Sequence, residues 1–295
     1  MVDFDADGFP NPSPGVSRPD APSMDNLIFS PQLNSSNSKK ILDIAISDEI
    51  NHNLELAHKG FLAARDLASK EGEEETVKIC NCYLARSYYR MGDNETAKTM
   101  LKVVIDSFIG HEEEYPDSWV FACLTISEIY KSEGNFLDAL ELLDSMMYSP
   151  ILNATNYTLA NLFINLGSIH IHLKNLKLGY QFILRAMEFS EDDFVFHFSC
   201  VQILCSAYIE AREWEMVSSL SETLLEISEN QLGDSYSYEK AIAMEMRAIY
   251  LYESADIESA RIYAHRAAES YANSGSKPKS SNLIKLINLL DNDKI

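Results

Sequence analysis

The chain has 295 residues, is 46% apolar, and carries 45 Asp and Glu against 24 Lys and Arg, for a net charge of -21 and a pI near 4.6. That much apolar material builds a sizeable core, which excludes a wholly disordered chain. The charge argues against a nucleic-acid or anionic-membrane surface, because phosphate binding needs clustered Lys and Arg, and only Lys39 with Lys40 and Lys277 with Lys279 look basic.

Residues 1–36 hold most of the prolines and many Ser and Asn ("GFPNPSPGVSRPDAPS", "PQLNSSNS"), a composition that buries too little apolar surface to order itself. They are predicted to form a disordered tail, in which Phe4, Phe9, Leu27, Ile28 and Phe29 stand among acidic or polar neighbours in the manner of short partner-binding motifs. The chain does not open on a signal peptide, and its apolar runs stay short of the roughly 20 residues of a membrane helix. Cys80, Cys82, Cys123, Cys200 and Cys205 are odd in number and lack the spacing of a disulfide framework, which suits a reducing compartment. Cytoplasm, nucleus or both is the expected address, without membrane insertion.

From residue 37 onward apolar residues recur at i, i+3, i+4 and i+7, with few prolines and no sustained alternation, so the domain is predicted all-α. The helices pair between loops such as "KEGEEE", "GHEEEYPDS", "SPILNATN", "FSEDDF" and "SENQLGDS". Aligned on the start of each second helix, Ala57, Ala97, Ala139, Gly179, Val217 and Ala260 recur about every 40 residues, giving six pairs. Four and seven residues later stand Phe61 and Ala64, Leu101 and Val104, Leu143 and Met146, Ile183 and Ala186, Ser221 and Leu224, and Ala264 and Ala267, on one helix face. Twelve residues before each anchor the first helix carries Ala45, Ala85, Ser127, Gly167, Cys205 or Ala248, all small enough for two backbones to approach closely. Gly92 and Gly134 fall between paired helices, where a positive φ ends the first. Tyr88, Tyr130 and Tyr208 are expected to fill the seam between the helices, and His170, at the same position, to be a core histidine.

The pattern of small residue, Tyr, Gly and Ala resembles the tetratricopeptide repeat over residues 37–275, most closely in "YLARSYYRMGDNETA" and "KSEGNFLDAL", with Ser221 a departure. The resemblance implies a right-handed solenoid of about six antiparallel helix pairs that holds other proteins in a groove lined by first helices. It places Ile79, Cys82, Arg86, Tyr89, Phe121, Leu124, Glu128, Ile164, Ser168 and Ile171 toward that groove, continued by Ile209, Ile242, Ile249 and Tyr252. So apolar a lining suits a helix or extended segment of a partner, although a tight superhelix would bury some of these positions internally. Residues 276–295 follow as a capping or docking helix with Leu283, Ile284, Ile287 and Leu290 on it.

Catalytic, cofactor and metal motifs are not expected: His170 and His172 fall on different helix faces, and Cys200 and Cys205 lack usual ligand spacing. Two functions follow from the resemblance. One is a non-catalytic scaffold subunit of a multiprotein assembly in the ubiquitin pathway, in the style of the COP9 signalosome, the proteasome lid or the anaphase-promoting complex. The other is a peptide-responsive regulator like the quorum-sensing receptors built from similar repeats.

Overall fold

A computed structural model describes residues 36–50, 53–112, 114–147, 154–190, 193–232 and 236–274, together with Lys279 and Leu283. The expected tail lies outside the described residues apart from Ser36, as do Ile284, Ile287 and Leu290. Among the described residues the regular structure is helical: α1 (Asn37–Ile50), α2 (Leu54–Glu71), α3 (Glu74–Arg90), α4 (Asn94–Asp106), α5 (Pro116–Ser132), α6 (Phe136–Met146), α7 (Asn156–His172), α8 (Leu176–Ser190), α9 (Phe194–Ala211), α10 (Trp214–Asn230), α11 (Ser237–Glu253) and α12 (Ile257–Asn273). This is the all-α, TPR-like succession of helix pairs. The chain divides into two compact units, Pro22–Phe189 with α1 to α8, and the residues from Ser190 onward with α9 to α12.

One turn joins the two helices of most pairs. Gly92 and Gly134 take φ of 86° and 79°, and the equivalent residues of the next three pairs are Lys174, Arg212 and Ala255 at 61°, 58° and 65°. In each case the following N–H reaches back to the carbonyl five residues earlier: Asp93 to Tyr88 at 2.9 Å, Asn135 to Tyr130 at 2.8 Å, Asn175 to His170 at 2.8 Å, Glu213 to Tyr208 at 3.0 Å and Asp256 to Leu251 at 2.9 Å. This is a Schellman closure, which satisfies a carbonyl that the helix end leaves open. The residue that closes one helix then begins the next: Asp93 and Asp256 accept the N–H of Thr96 and Ser259 at 3.1 and 3.2 Å. Glycine is absent from the last three turns, so their backbone is held in the left-handed region against a cost of about 1 kcal/mol each.

The small residues meet where the alignment places them. Ala45, Ala85, Ser127 and Cys205 in first helices, and Ala57, Ala97, Ala139 and Val217 in second helices, are at most 1% exposed. Contact is close between α7 and α8, where a Cβ on Gly167 would come within 2.5 Å of the Ile183 side chain and 3.0 Å of the Gly179 carbonyl, and one on Gly179 within 2.6 Å of Ile171. Second helices bury a single stripe: Ala97, Leu101 and Val104 in α4, Ala139, Leu143 and Met146 in α6, and Gly179, Ile183 and Ala186 in α8.

First helices behave differently. In the first unit α1 touches α3, α3 touches α5 and α5 touches α7, in addition to their contacts with second helices. An α-helix enclosed on so many sides is buried nearly all round, as are α5 from Ser118 to Ser127 and α7 from Ala160 to Ile171. In the second unit α9, Phe194–Ala211, is long and apolar enough to cross a membrane by length and composition, unlike the sequence expectation of shorter apolar runs. It packs on α10 and α11, and 39% of this stretch is buried.

Gly167→Ala tests the crossing. A solvent-facing Gly→Ala in a helix gains about 1 kcal/mol, but here the new methyl overlaps the Ile183 side chain at 2.5 Å and crowds the Gly179 carbonyl at 3.0 Å, and overpacking of this kind costs roughly 1–3 kcal/mol. Urea denaturation should therefore show a lower midpoint for Gly167→Ala. A higher midpoint would mean that the helices separate there at little cost.

Candidate partner-binding surface

The predicted groove residues divide by exposure. Ile79, Arg86, Phe121, Leu124, Ile164 and Ile171 are buried, as are Cys82, Ser168 and Ile242. Tyr89 and Glu128 are half-buried, Ile209 and Ile249 likewise, and Tyr252 is 44% exposed. Most of the apolar lining expected to face a partner is thus core. The reason is the packing of helices on α3 from both sides: Phe121 of α5 lies tilted against Tyr83 of α3 with centroids 5.0 Å apart, and Tyr83 in turn stacks on Phe61 of α2 at 5.0 Å. Ile171 fills the space that Gly179 leaves open on α8. The seam residues differ from one another, and the buried His170 is the core histidine expected. Tyr88 meets His58 of the preceding pair at 5.1 Å, whereas His170 stacks on Phe182 within its own pair at 5.3 Å, and burial holds its imidazole pKa below the usual range against the opposing pull of Asp144.

A row of polar groups crosses the first helices. The Arg86 guanidinium is 3% exposed and lies over the Tyr83 and Phe121 rings at 4.9 and 5.6 Å. It donates from Nε to Glu49 Oε1 of α1 at 3.0 Å and from Nη2 to Glu49 Oε2. Arg90 Nη1 lies 3.5 Å from the same carboxylate. One turn pair later, Lys131 Nζ meets Glu128 Oε2 at 2.6 Å and donates to Asn165 Oδ1 of α7 at 2.9 Å. Asn165 donates onward to the Asn161 carbonyl, also at 2.9 Å. Arg90 and Glu128, at 17% and 16% side-chain exposure, are the parts of this row that reach solvent.

Of this row the sequence pointed to Arg86 and Glu128 but not to Glu49, Arg90, Lys131 and Asn161. The signal that was present is phase: Glu49 follows Ala45 and Ile46, and Asn161 stands among Ala160, Leu162 and Phe163, all buried, where an unpartnered polar group would be costly. Among the described residues, Asp, Glu, His and Cys are not grouped as a metal site would require. All five thiols are free and buried, and burial pushes Cys80 and Cys205 up to about 12.

No protein-family profile and no curated protein matches the sequence. The structure is similar to the apo form of the quorum sensor NprR from B. thuringiensis, with a TM-score of 0.57 and 14% identity over 86% of this chain and 76% of that one. It is also similar to NprR in complex with its cognate peptide NprX, with a TM-score of 0.55 and 14% identity over 86% and 75%. Identity this low establishes a shared fold alone. Neither structure is that of a ubiquitin-pathway assembly subunit, so that expectation has no support among them.

The buried ion pair gives a direct test. Glu49→Ala leaves the Arg86 charge in the core without its carboxylate, which costs about 3–5 kcal/mol. Glu49→Leu combined with Arg86→Met removes both charges and should recover most of that loss in chemical denaturation. A small effect of Glu49→Ala would show that the pair does not tie α1 to α3.

Proposed function

We propose that this chain is a non-catalytic regulator that binds a peptide or a short segment of a partner protein. The observation that carries the reading is the fold shared, over most of both chains, with NprR both in its apo form and in complex with its peptide. This supports the peptide-responsive alternative above the assembly-subunit reading. The reducing environment that suits five free thiols is part of the same proposal.

In the first unit the apolar residues of α3, α5 and α7 are already packed, so a peptide would read the partly exposed edge: Tyr89, Arg90 and Glu128. Aromatic, cationic and carboxylate groups on the contacting helices α3 and α5 suit an extended backbone with polar side chains better than they suit an apolar helix. A net charge of -21 adds long-range attraction for a basic peptide and speeds its arrival.

Selection of displayed random peptides against the full chain, followed by calorimetry of the enriched sequences, tests this. Binding is expected at about micromolar affinity or tighter, with a negative heat-capacity change from apolar burial. Tyr89→Ala and Glu128→Lys should each weaken it by roughly tenfold, the loss expected of a central contact. A selection that enriches nothing, or peptides indifferent to both substitutions, would overturn the assignment.

A further inference from the structure

The last helix pair carries an arrangement that the peptide reading does not use. Tyr238 near the start of α11 and Tyr271 near the end of α12 meet edge to face, with ring centroids 5.5 Å apart and planes at 66°. Tyr271 is fully buried, and its hydroxyl donates to the Glu245 carboxylate of α11. Burial, reinforced by that carboxylate, pushes the Tyr271 phenol well above its usual range, so it remains a donor at neutral pH. Into the angle between the rings comes the ammonium of Lys279. Its Nζ donates to the Tyr238 hydroxyl at 2.8 Å and lies 5.0 and 5.3 Å from the Tyr238 and Tyr271 centroids. Leu283, four residues further on, is buried as well.

Two aromatic faces and a hydroxyl acceptor, with a carboxylate behind, are the elements that recognise an alkylammonium group. All three side chains are carried by α11 and α12, which pack on one another, and not by the segment that carries Lys279. We propose that Tyr238, Tyr271 and Glu245 form an alkylammonium-binding site on the last helix pair, which the chain fills with its own Lys279 and which takes a lysine side chain of a partner when Lys279 leaves. The contact is self-inhibitory. A lysine attached to the same chain competes at a high effective concentration, on the order of millimolar, so an incoming lysine must be helped by further contacts or by loss of the Lys279 charge. The site is independent of the peptide edge on α3 and α5, and it stands or falls separately.

The test uses the full chain. N-acetyl-lysine methylamide is titrated into the wild type, Lys279→Ala, and Lys279→Ala combined with Tyr238→Ala, with binding followed by ligand-observed NMR. Lys279→Ala should bind the probe about tenfold more tightly than the wild type does, the gain expected from removing a competitor in cis. The double variant should lose that gain, and the uncharged norleucine analogue should show none of it. Equal binding by wild type and Lys279→Ala, or equal binding of the lysine and norleucine probes, would overturn the proposal. Should Lys279→Ala lose helical content by circular dichroism, Lys279→Arg and Lys279→Gln keep the question open to refutation. Amide exchange in α12 should stay slow with Arg and accelerate with Gln, and equal exchange in the two would overturn the role of the charge.

Discussion

Everything else in this structure depends on how closely two helices of a pair approach. Where Gly167 and Gly179 face each other, a single methyl group would come within 3.0 Å of the opposite backbone. Such proximity lets Ile183 and Ile171 reach over the partner helix and seal the pair, and dense contact of this kind is what a core of alternating large and small residues provides. It also fixes the turns. A pair this tight leaves room for only a short connection, and the chain uses the same left-handed closure in five successive pairs even where Lys174, Arg212 and Ala255 must adopt it in place of glycine. The backbone strain at those three positions is outweighed by the burial it permits.

Close pairs bring consecutive first helices into contact, and that contact decides what the protein can present to a partner. In the unit of α1 to α8 the aromatic column Phe61, Tyr83 and Phe121 runs from α2 through α3 to α5, and the Arg86 guanidinium lies against two of its rings. Burying each such ring contributes roughly 2–3 kcal/mol. A buried guanidinium contributes little net stability even when paired, and its value lies in fixing which helix sits beside which. Glu49 at the end of α1 supplies that specificity for α3, and the link from Lys131 to Asn165 supplies it between α5 and α7. What remains for recognition is a polar edge rather than an apolar trough.

The second helices were legible in the sequence because each buries one stripe, so the offsets of zero, four and seven from the anchor coincide with the buried residues of α4, α6 and α8. The first helices were legible as helices but not as surfaces. When α7 is buried from Ala160 to Ile171, the apolar pattern loses its phase, and nothing in residue type separates an inner position such as Ile164 from a core position such as Leu166. Gly92 and Gly134 announced their turns, whereas Lys174, Arg212 and Ala255 adopt the same conformation with no signal from composition. The aromatic site around Lys279 was hidden for another reason: Tyr238, Glu245, Tyr271 and Lys279 span 41 residues between the ends that meet, and only folding brings them together.

The central claim is that α5 and α7 are core helices, with the second helices packed on them as an outer layer. Native-state hydrogen exchange resolved by segment measures this directly, because protection reports the free energy needed to expose each amide. The account predicts that the amides of α5 and α7 exchange only through global unfolding, while those of α6 and α8 include faster, locally opening sites on their solvent side. Exchange in α5 and α7 as fast as in α6 and α8 would mean that the first helices face an open groove after all, and would contradict the packing described.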